Sequence, residues 1–379
     1  MSPKLRRFAL GGVALFMAYG AGPAFAADAT QIADALVATI TASGESQASY
    51  DSANAAGDDV TIVNLKMTGK DGESVAIPTV FITNAQPRDP GGFTADAMSF
   101  DNATMVSDGN TITWGSASVT EATVPSADEV KAKAKIRPFS KMDIANLNIS
   151  GGDLPVPLDI ASIAVGLDLD EGGLPRDFSL NVASIKIPPE FIAGADDDFK
   201  QLVEGLGYDS FVVNLLVEGG YETGSDRLTV RSFAVEAPDV GKFSLAGTIS
   251  GVKASELADE SASSDALANG KLENLTIRFD NAGVVERALD MQAKMMGASR
   301  EDIVAQLNGA LPFMLNAINN PAFQEKVAKA GQAFLADPKS LTITASPAQP
   351  IAFQEIMGNA MSAPQTLPDM LAIDVTANN

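Results

Sequence analysis

The stretch RLTVRSFAVEAPDVGKFSLAGTISG, residues 227–251, constrains the fold of this chain more than any other feature. Phe243, Leu245 and Ile249 share one parity, with Gly247 among them, while Ser244, Thr248 and Ser250 share the other with Ala246. A period of two is that of a strand with one buried face. Pro238 and Asp239 supply a turn, and the run before it changes phase: Leu228 and Val230 fall on one parity, Phe233 and Val235 on the other. DFSLNVASIKI does the same, with Phe178, Leu180 and Val182 on one parity and Ile185 and Ile187 on the other. A phase change inside a strand marks a bulge, or burial on each face in turn. Two such changes predict a twisted, curved sheet.

Short alternating runs continue on both sides. Val60 and Ile62, Leu65 and Met67, Val75 and Ile77, Val80 and Ile82, and Ile112 and Trp114 are separated by turn formers such as AAGDD, GKDGE and QPRDPGG. They predict an antiparallel meander from about Gln47 to Val124. A short amphipathic helix with Ile32, Leu36 and Ile40 on one face precedes it and stops at Gly44. Ser126 with Glu129 three residues on predicts a capped helix start. The region 141–280 is again mainly strand, interrupted by a helix whose apolar stripe is Phe199, Leu202, Val203 and Leu206.

From about 282 the pattern is helical. Val284, Val285, Ala288, Leu289 and Met295 line one side of a first helix. Ser299 with Asp302 caps a second, which Pro312 should kink or end. Asn320 and Pro321 open a third. SLTITAS and LAIDVTAN close the chain as strands, with a helix near FQEIMGNAM between them. The expected fold is α+β, a mainly antiparallel, curved sheet with a C-terminal helical layer. The expected divisions are 27–125, a meander with its leading helix; 126–281, a second β region with short helices; and 282–379, helices with closing strands. Residues 27–379 forming one continuous domain stays open.

The first residues read as an export signal. Lys4, Arg6 and Arg7 precede an apolar run from Phe8, and AFA at 24–26 fits a cleavage site, giving a signal peptide over 1–26. Gly22-Pro23 beside that site favours cleavage over retention as an anchor, and Ala9 fits a twin-arginine signal poorly, so Sec export is expected. The destination is the periplasm or the exterior, with no stable membrane span after cleavage. The chain has no cysteine, so its stability rests on its core rather than on disulfides. Its net charge of −22 argues against nucleic acid and anionic headgroups as partners.

The composition also restricts chemistry. Without histidine there is no Ser-His-Asp triad and no histidine metal site, and without cysteine no thiol nucleophile or zinc thiolate. Ser250 and Lys253 match a bare S-x-x-K, but at a strand end rather than a helix start. Asp168, Asp170 and Glu171 suggest a calcium loop, yet its fifth and twelfth positions are Gly172 and Ser179, so a charged hairpin turn is expected. Asp196, Asp197 and Asp198 fit a helix start. KAKAKIR at 131–137 reads as a solvated helix end, and Trp114 as part of a core or sheet face. No cofactor and no metal site is expected. Met291, Met295, Met296, Phe313 and Met314 are the candidate ligand-binding residues, as the wall of an apolar groove, since methionine-rich surfaces adapt to varied apolar partners. The plainer reading is a helix layer packed on the sheet.

The run YDSFVVNLLVEGGYETGSDRLTVRSFAVEAPDVGKFSLAGTISGV, followed by LENLTIRFDNAGVVERAL, resembles repeats of bacterial envelope proteins of the YdgA-like and AsmA-like kind. The likeness covers about residues 140–290 and rests on strand–turn–strand rhythm. It implies a curved antiparallel sheet and, as in some relatives of these families, lipid carried in a β groove. No functional residue carries over, and a cleaved signal on a compact chain departs from the N-terminal anchor of AsmA-like proteins. The expectation is a non-catalytic periplasmic envelope protein that binds a lipid or other apolar small molecule. The alternatives are a structural or adaptor module with an envelope protein partner, and a carboxylate-based periplasmic hydrolase. The last would need two acids facing across a cleft at about 5–9.5 Å.

Overall fold

The computed structural model describes residues 28–70, 72–170, 173–257 and 267–379. The expected signal peptide lies outside the described residues, as does Glu171. The fold is α+β and mainly antiparallel, and the chain forms two compact units, Met1–Lys186 and Ile187–Asn379.

In unit one, α1 (Ala29–Thr41) is capped by Asp28, which accepts from the Thr30 and Gln31 amides, and it buries Ile32, Ala33 and Leu36. The strands that follow are β1 (Ser46–Ser49), β2 (Ser52–Ala56), β3 (Asp59–Gly69), β4 (Ser74–Thr83), β5 (Gln86–Pro87), β6 (Phe93–Asp101), β7 (Ala103–Ser107), β8 (Asn110–Trp114) and β9 (Ser116–Val124). After α2 (Ala127–Lys131) come β10 (Lys141–Gly151), β11 (Leu158–Leu169) and β12 (Pro175–Ile187). β1 and β2 both pair with β3, β6 and β7 both with β4, and β8 and β9 both with β10. Each of these pairs is therefore one interrupted line. The order is the expected up-and-down meander, and it continues through β10, β11 and β12. Because β9 pairs with β10, the sheet runs on across the division expected at 125–126.

The interruptions line up. Register places Asn64, Pro78, Asn102, Gly115, Asn146, Ala161 and Ser184 opposite one another, one from each line from β3 to β12. Asn64, Asn102, Asn146 and Ser184, on alternate lines, have φ of 54–55°. Asparagine tolerates that left-handed conformation because its short side chain can bond locally. Pro78, which has no amide to give a ladder, sits in the same row. On every line the apolar alternation steps by three across this row: Ile62 to Leu65, Ile77 to Val80, Phe100 to Ala103, Trp114 to Ala117, Ile144 to Leu147, Ile160 to Ile163, Val182 to Ile185. The whole sheet is thus re-phased at once without loss of register. The break at Val182–Ile185 was expected as a bulge or two-faced burial; register is unchanged there, and the left-handed Ser184 re-phases the strand instead.

The core of unit one collects Val60, Ile62, Leu65, Val80, Ile82, Phe93 and Met98 with Ile32, Ala33 and Leu36 of α1. Along the row Val60, Ile82, Met98, Val119, Met142, Val165, Leu180 the side chains go from fully buried on β3–β9 to half-buried on β10–β12.

Unit two begins with α3 (Pro189–Ala193) and α4 (Asp197–Gly205), then β13 (Phe211–Glu222), β14 (Arg227–Ala237), β15 (Gly241–Ser250), α5 (Ala254–Leu257) and β16 (Lys271–Asn281). Three helices follow, α6 (Val284–Met296), α7 (Arg300–Leu315) and α8 (Pro321–Ala336), then β17 (Ser340–Ala345), β18 (Ile351–Ala352), α9 (Phe353–Ser362), α10 (Leu367–Met370) and β19 (Asp374–Ala377). The sheet order is β13, β14, β15, β16, β17, β19, all antiparallel, with β18 also on β16. The closing strands therefore extend the sheet begun before residue 281.

The phase change of β14 is a bulge. Register shifts between Val230 and Phe233, so Phe233 and Val235 return to the face of Leu228 and Val230. β16 makes the matching shift opposite Thr248 and Ile249.

Local chemistry explains the helix ends. Ser126 with Glu129 and Ser299 with Asp302 both form reciprocal caps. α7 runs three residues beyond Pro312, to Leu315, where an end or kink was expected. A proline so near the C-terminus removes one amide from the final turn, so the helix persists. Phe199, Leu202 and Met295, expected on packed stripes, are exposed; in α4 only Val203 is buried.

Candidate functional site

The feature of unit two with most chemical meaning is one face of its sheet. Register aligns Leu215, Val235, Phe243, Phe279, Leu341 and Ala377 in a row from β13 to β19. The next row is Val217, Phe233, Leu245, Ile277, Ile343 and Val375. Each row crosses six strands without a polar side chain. The opposite face carries Glu236, Lys242 and Asp280 in one row and Ser244, Arg278 and Thr342 in another. Alternation of this kind assigns the first face to apolar contact and the second to polar contact, and the second is itself half-buried, with Ala234 buried beside Ser244.

The apolar face is only partly covered. Phe334 of α8 meets Phe279 edge-on, ring centroids 6.4 Å apart, and the Asn378 side chain donates to the Ala333 carbonyl. α8 thus packs on the first row at the β16–β19 end, while Ile343 in the second row stays 38 % exposed. On β14 and β15 the rings and branches stand open: Phe233 is 37 %, Val235 38 % and Phe243 42 % exposed. An apolar surface left open across neighbouring strands marks a binding surface more often than a solvated one.

The frame around it is tied by specific bonds. Tyr221 donates to the Val252 carbonyl at 2.8 Å, and Tyr208 to that of Asp239 at 2.8 Å. The Arg287 guanidinium lies 4.3 Å from the Tyr208 ring centroid and donates to the carbonyls of Leu206 and Gly207. These bonds fix α4, α6 and the β14–β15 turn together. Burial pushes the Tyr208 hydroxyl above its ordinary pKa, against the pull of Arg287, so it stays a neutral donor.

The five residues expected to line a groove are split. Met291 is half-buried against α4, where its Sδ lies 2.7 Å from the place a β-carbon on Gly205 would take. Met295 and Met296 are exposed beside the α6–α7 turn, which the Asp290–Arg300 ion pair fastens at 2.5 Å. Phe313 and Met314 are exposed near the far end of α7, about 20 Å along the helix. Sequence reasoning placed the apolar surface on the helices. The sheet face was signalled by the parity of Phe243, Leu245 and Ile249, but its cover is a tertiary matter.

The other candidates have structural roles. Asp168 pairs with Arg176 at 3.2 Å and Asp170 accepts the Leu174 amide at 2.9 Å, so both brace a hairpin turn. Asp196 caps α4 through the Phe199 amide. Lys253 bonds Glu256 at 2.9 Å, which holds its ammonium above the ordinary lysine pKa and unsuited to act as a base. In 131–137, Lys131 pairs with Asp128 and Arg137 with Glu121. Trp114 packs on the core of unit one and donates Nε1 to the Phe100 carbonyl at 2.8 Å. A recess of about 560 Å³ lies beside Arg227 and Glu273, whose ion pair at 2.5 Å occupies its charged side. Among the described residues no group of three or more acidic, histidine or cysteine side chains could hold a metal ion. Nor is any helix among them long and apolar enough to cross a membrane.

A family model described as an uncharacterized protein matches residues 234–378, from the strand just past the β14 bulge through β19. No curated protein matches the chain.

Proposed function

We propose that this is a non-catalytic envelope protein, exported to the periplasm, that binds a lipid or similar apolar small molecule on the open sheet face of unit two. The observation that carries the reading is the pair of six-strand apolar rows with Phe233, Val235 and Phe243 left open. Acyl chains suit such a surface because they need area and no directional bonds. The basic, apolar and small-residue pattern of residues 1–26 supports export, and the likeness to YdgA-like and AsmA-like proteins supports an envelope role.

Titration with a fluorescent fatty acid tests it. F233E and F243E, made separately, should each weaken binding by at least about tenfold, since each sets a charge against the chain. An unchanged Kd in both variants would place the apolar contact elsewhere.

A further inference from the structure

Residues 303–324 contain no Asp, Glu, Lys or Arg, and neither do residues 356–368, in a chain that is 20 % charged with a net charge of −22. The first segment holds most of α7, the turn Asn316–Ile318 and the start of α8; the second holds the body of α9 and the turn Pro364–Thr366. Asn320, itself buried, joins them. Its Nδ2 donates to the Gln365 carbonyl at 3.2 Å and to Asp369 Oδ2 at 3.1 Å, and its Oδ1 caps α8 through the Phe323 amide. Both uncharged segments therefore meet at one end of unit two. There Phe313 is 79 %, Met314 68 %, Met357 64 % and Met361 87 % exposed.

We infer that this end docks on a lipid bilayer with zwitterionic headgroups. Ionised side chains are the expensive groups at a membrane, and the two segments contain none. The polar side chains exposed beside the apolar ones, Asn316, Ser362 and Thr366, carry no charge and can bond to headgroups and interfacial water. Anionic lipids are drawn by clustered Lys and Arg; these segments have none, and a chain of −22 repels such headgroups. A folded protein partner would meet an apolar centre with a polar rim, where ion pairs set register and orientation. Neither segment offers such a charge, and the one carboxylate at their join, Asp369, is already bonded to Asn320. The inference needs no ligand on the sheet face and stands apart from it.

Residues 1–27 have an apolar run of their own, so a site-specific signal is required. F313W and M361W would be made separately in the full chain and mixed with phosphatidylcholine vesicles brominated in their acyl chains. The wild type supplies the background of Trp114, the chain's one tryptophan. Bromine quenching beyond that background in both variants is the expected result, reduced by at least about tenfold in vesicle affinity when Met314 is also changed to Glu. Absence of added quenching would overturn the inference, as would quenching seen only when anionic lipid is included. A dimer formed without vesicles and abolished by M314E would also overturn it, by giving the surface to a second copy.

Discussion

At the scale of single residues, Glu129 shows how closely a short helix can be tied to a sheet. Its carboxylate accepts two bonds from Arg88 at 3.0 Å and one from the Ser126 amide at 2.7 Å. The Arg88 bonds, then the Ser126 amide, lower its pKa from 4.5 to about 2. A lowered carboxylate pKa stabilises the fold above the unfolded value and loses that contribution as pH falls through the folded one. E129Q should therefore cost stability at neutral pH, and the difference from wild type in urea titrations should shrink between pH 4.5 and about 2. A difference independent of pH would show that the ion pair contributes nothing. The left-handed asparagines make a second test. At Asn146, φ 54°, a β-branched residue must enter a region costing about 1–2 kcal/mol. N146V should lower stability by that order and N146G by much less, measured by the same titration. Gly115 sits beside this asparagine because a β-carbon there would lie 3.2 Å from Asn146 Nδ2.

Among the elements, the strands divide by how they change phase. Unit one re-phases a whole sheet with a row of register-keeping breaks, whereas unit two uses bulges on β14 and β16. Deleting Arg231 removes the extra residue, so Leu228, Val230, Phe233 and Val235 fall on one parity of a regular strand. Phe233 and Val235 should stay on the apolar face, with a urea midpoint close to that of the wild type. A marked fall in the midpoint would contradict this account of the bulge as one extra residue. Much of this level was legible in the sequence. The meander, the caps at Ser126, Ser299 and Asn320, and the phase change at Val230–Phe233 all depend on neighbours in the chain. The step from Ile62 to Leu65 was equally visible, but its meaning needs register: only pairing shows that seven such steps form one row. The places of Met295 and Phe313 were not legible either. Helical periodicity gives a side of the helix, and cannot say whether anything packs against it.

For the whole molecule, each unit has its own core and its own partly open apolar surface. In unit one burial falls from β9 to β12, and in unit two α8 leaves β14 and β15 uncovered. A chain of net charge −22 can leave such surfaces open in solution because copies of it repel one another. The central claim is that the open face of unit two holds an apolar ligand. Native mass spectrometry of wild type and F243E, purified side by side with matched circular dichroism, tests it most directly. A stoichiometric adduct extractable into organic solvent should accompany the wild type and be lost or much reduced in F243E. A bare wild-type mass, or the same adduct on both proteins, would contradict it.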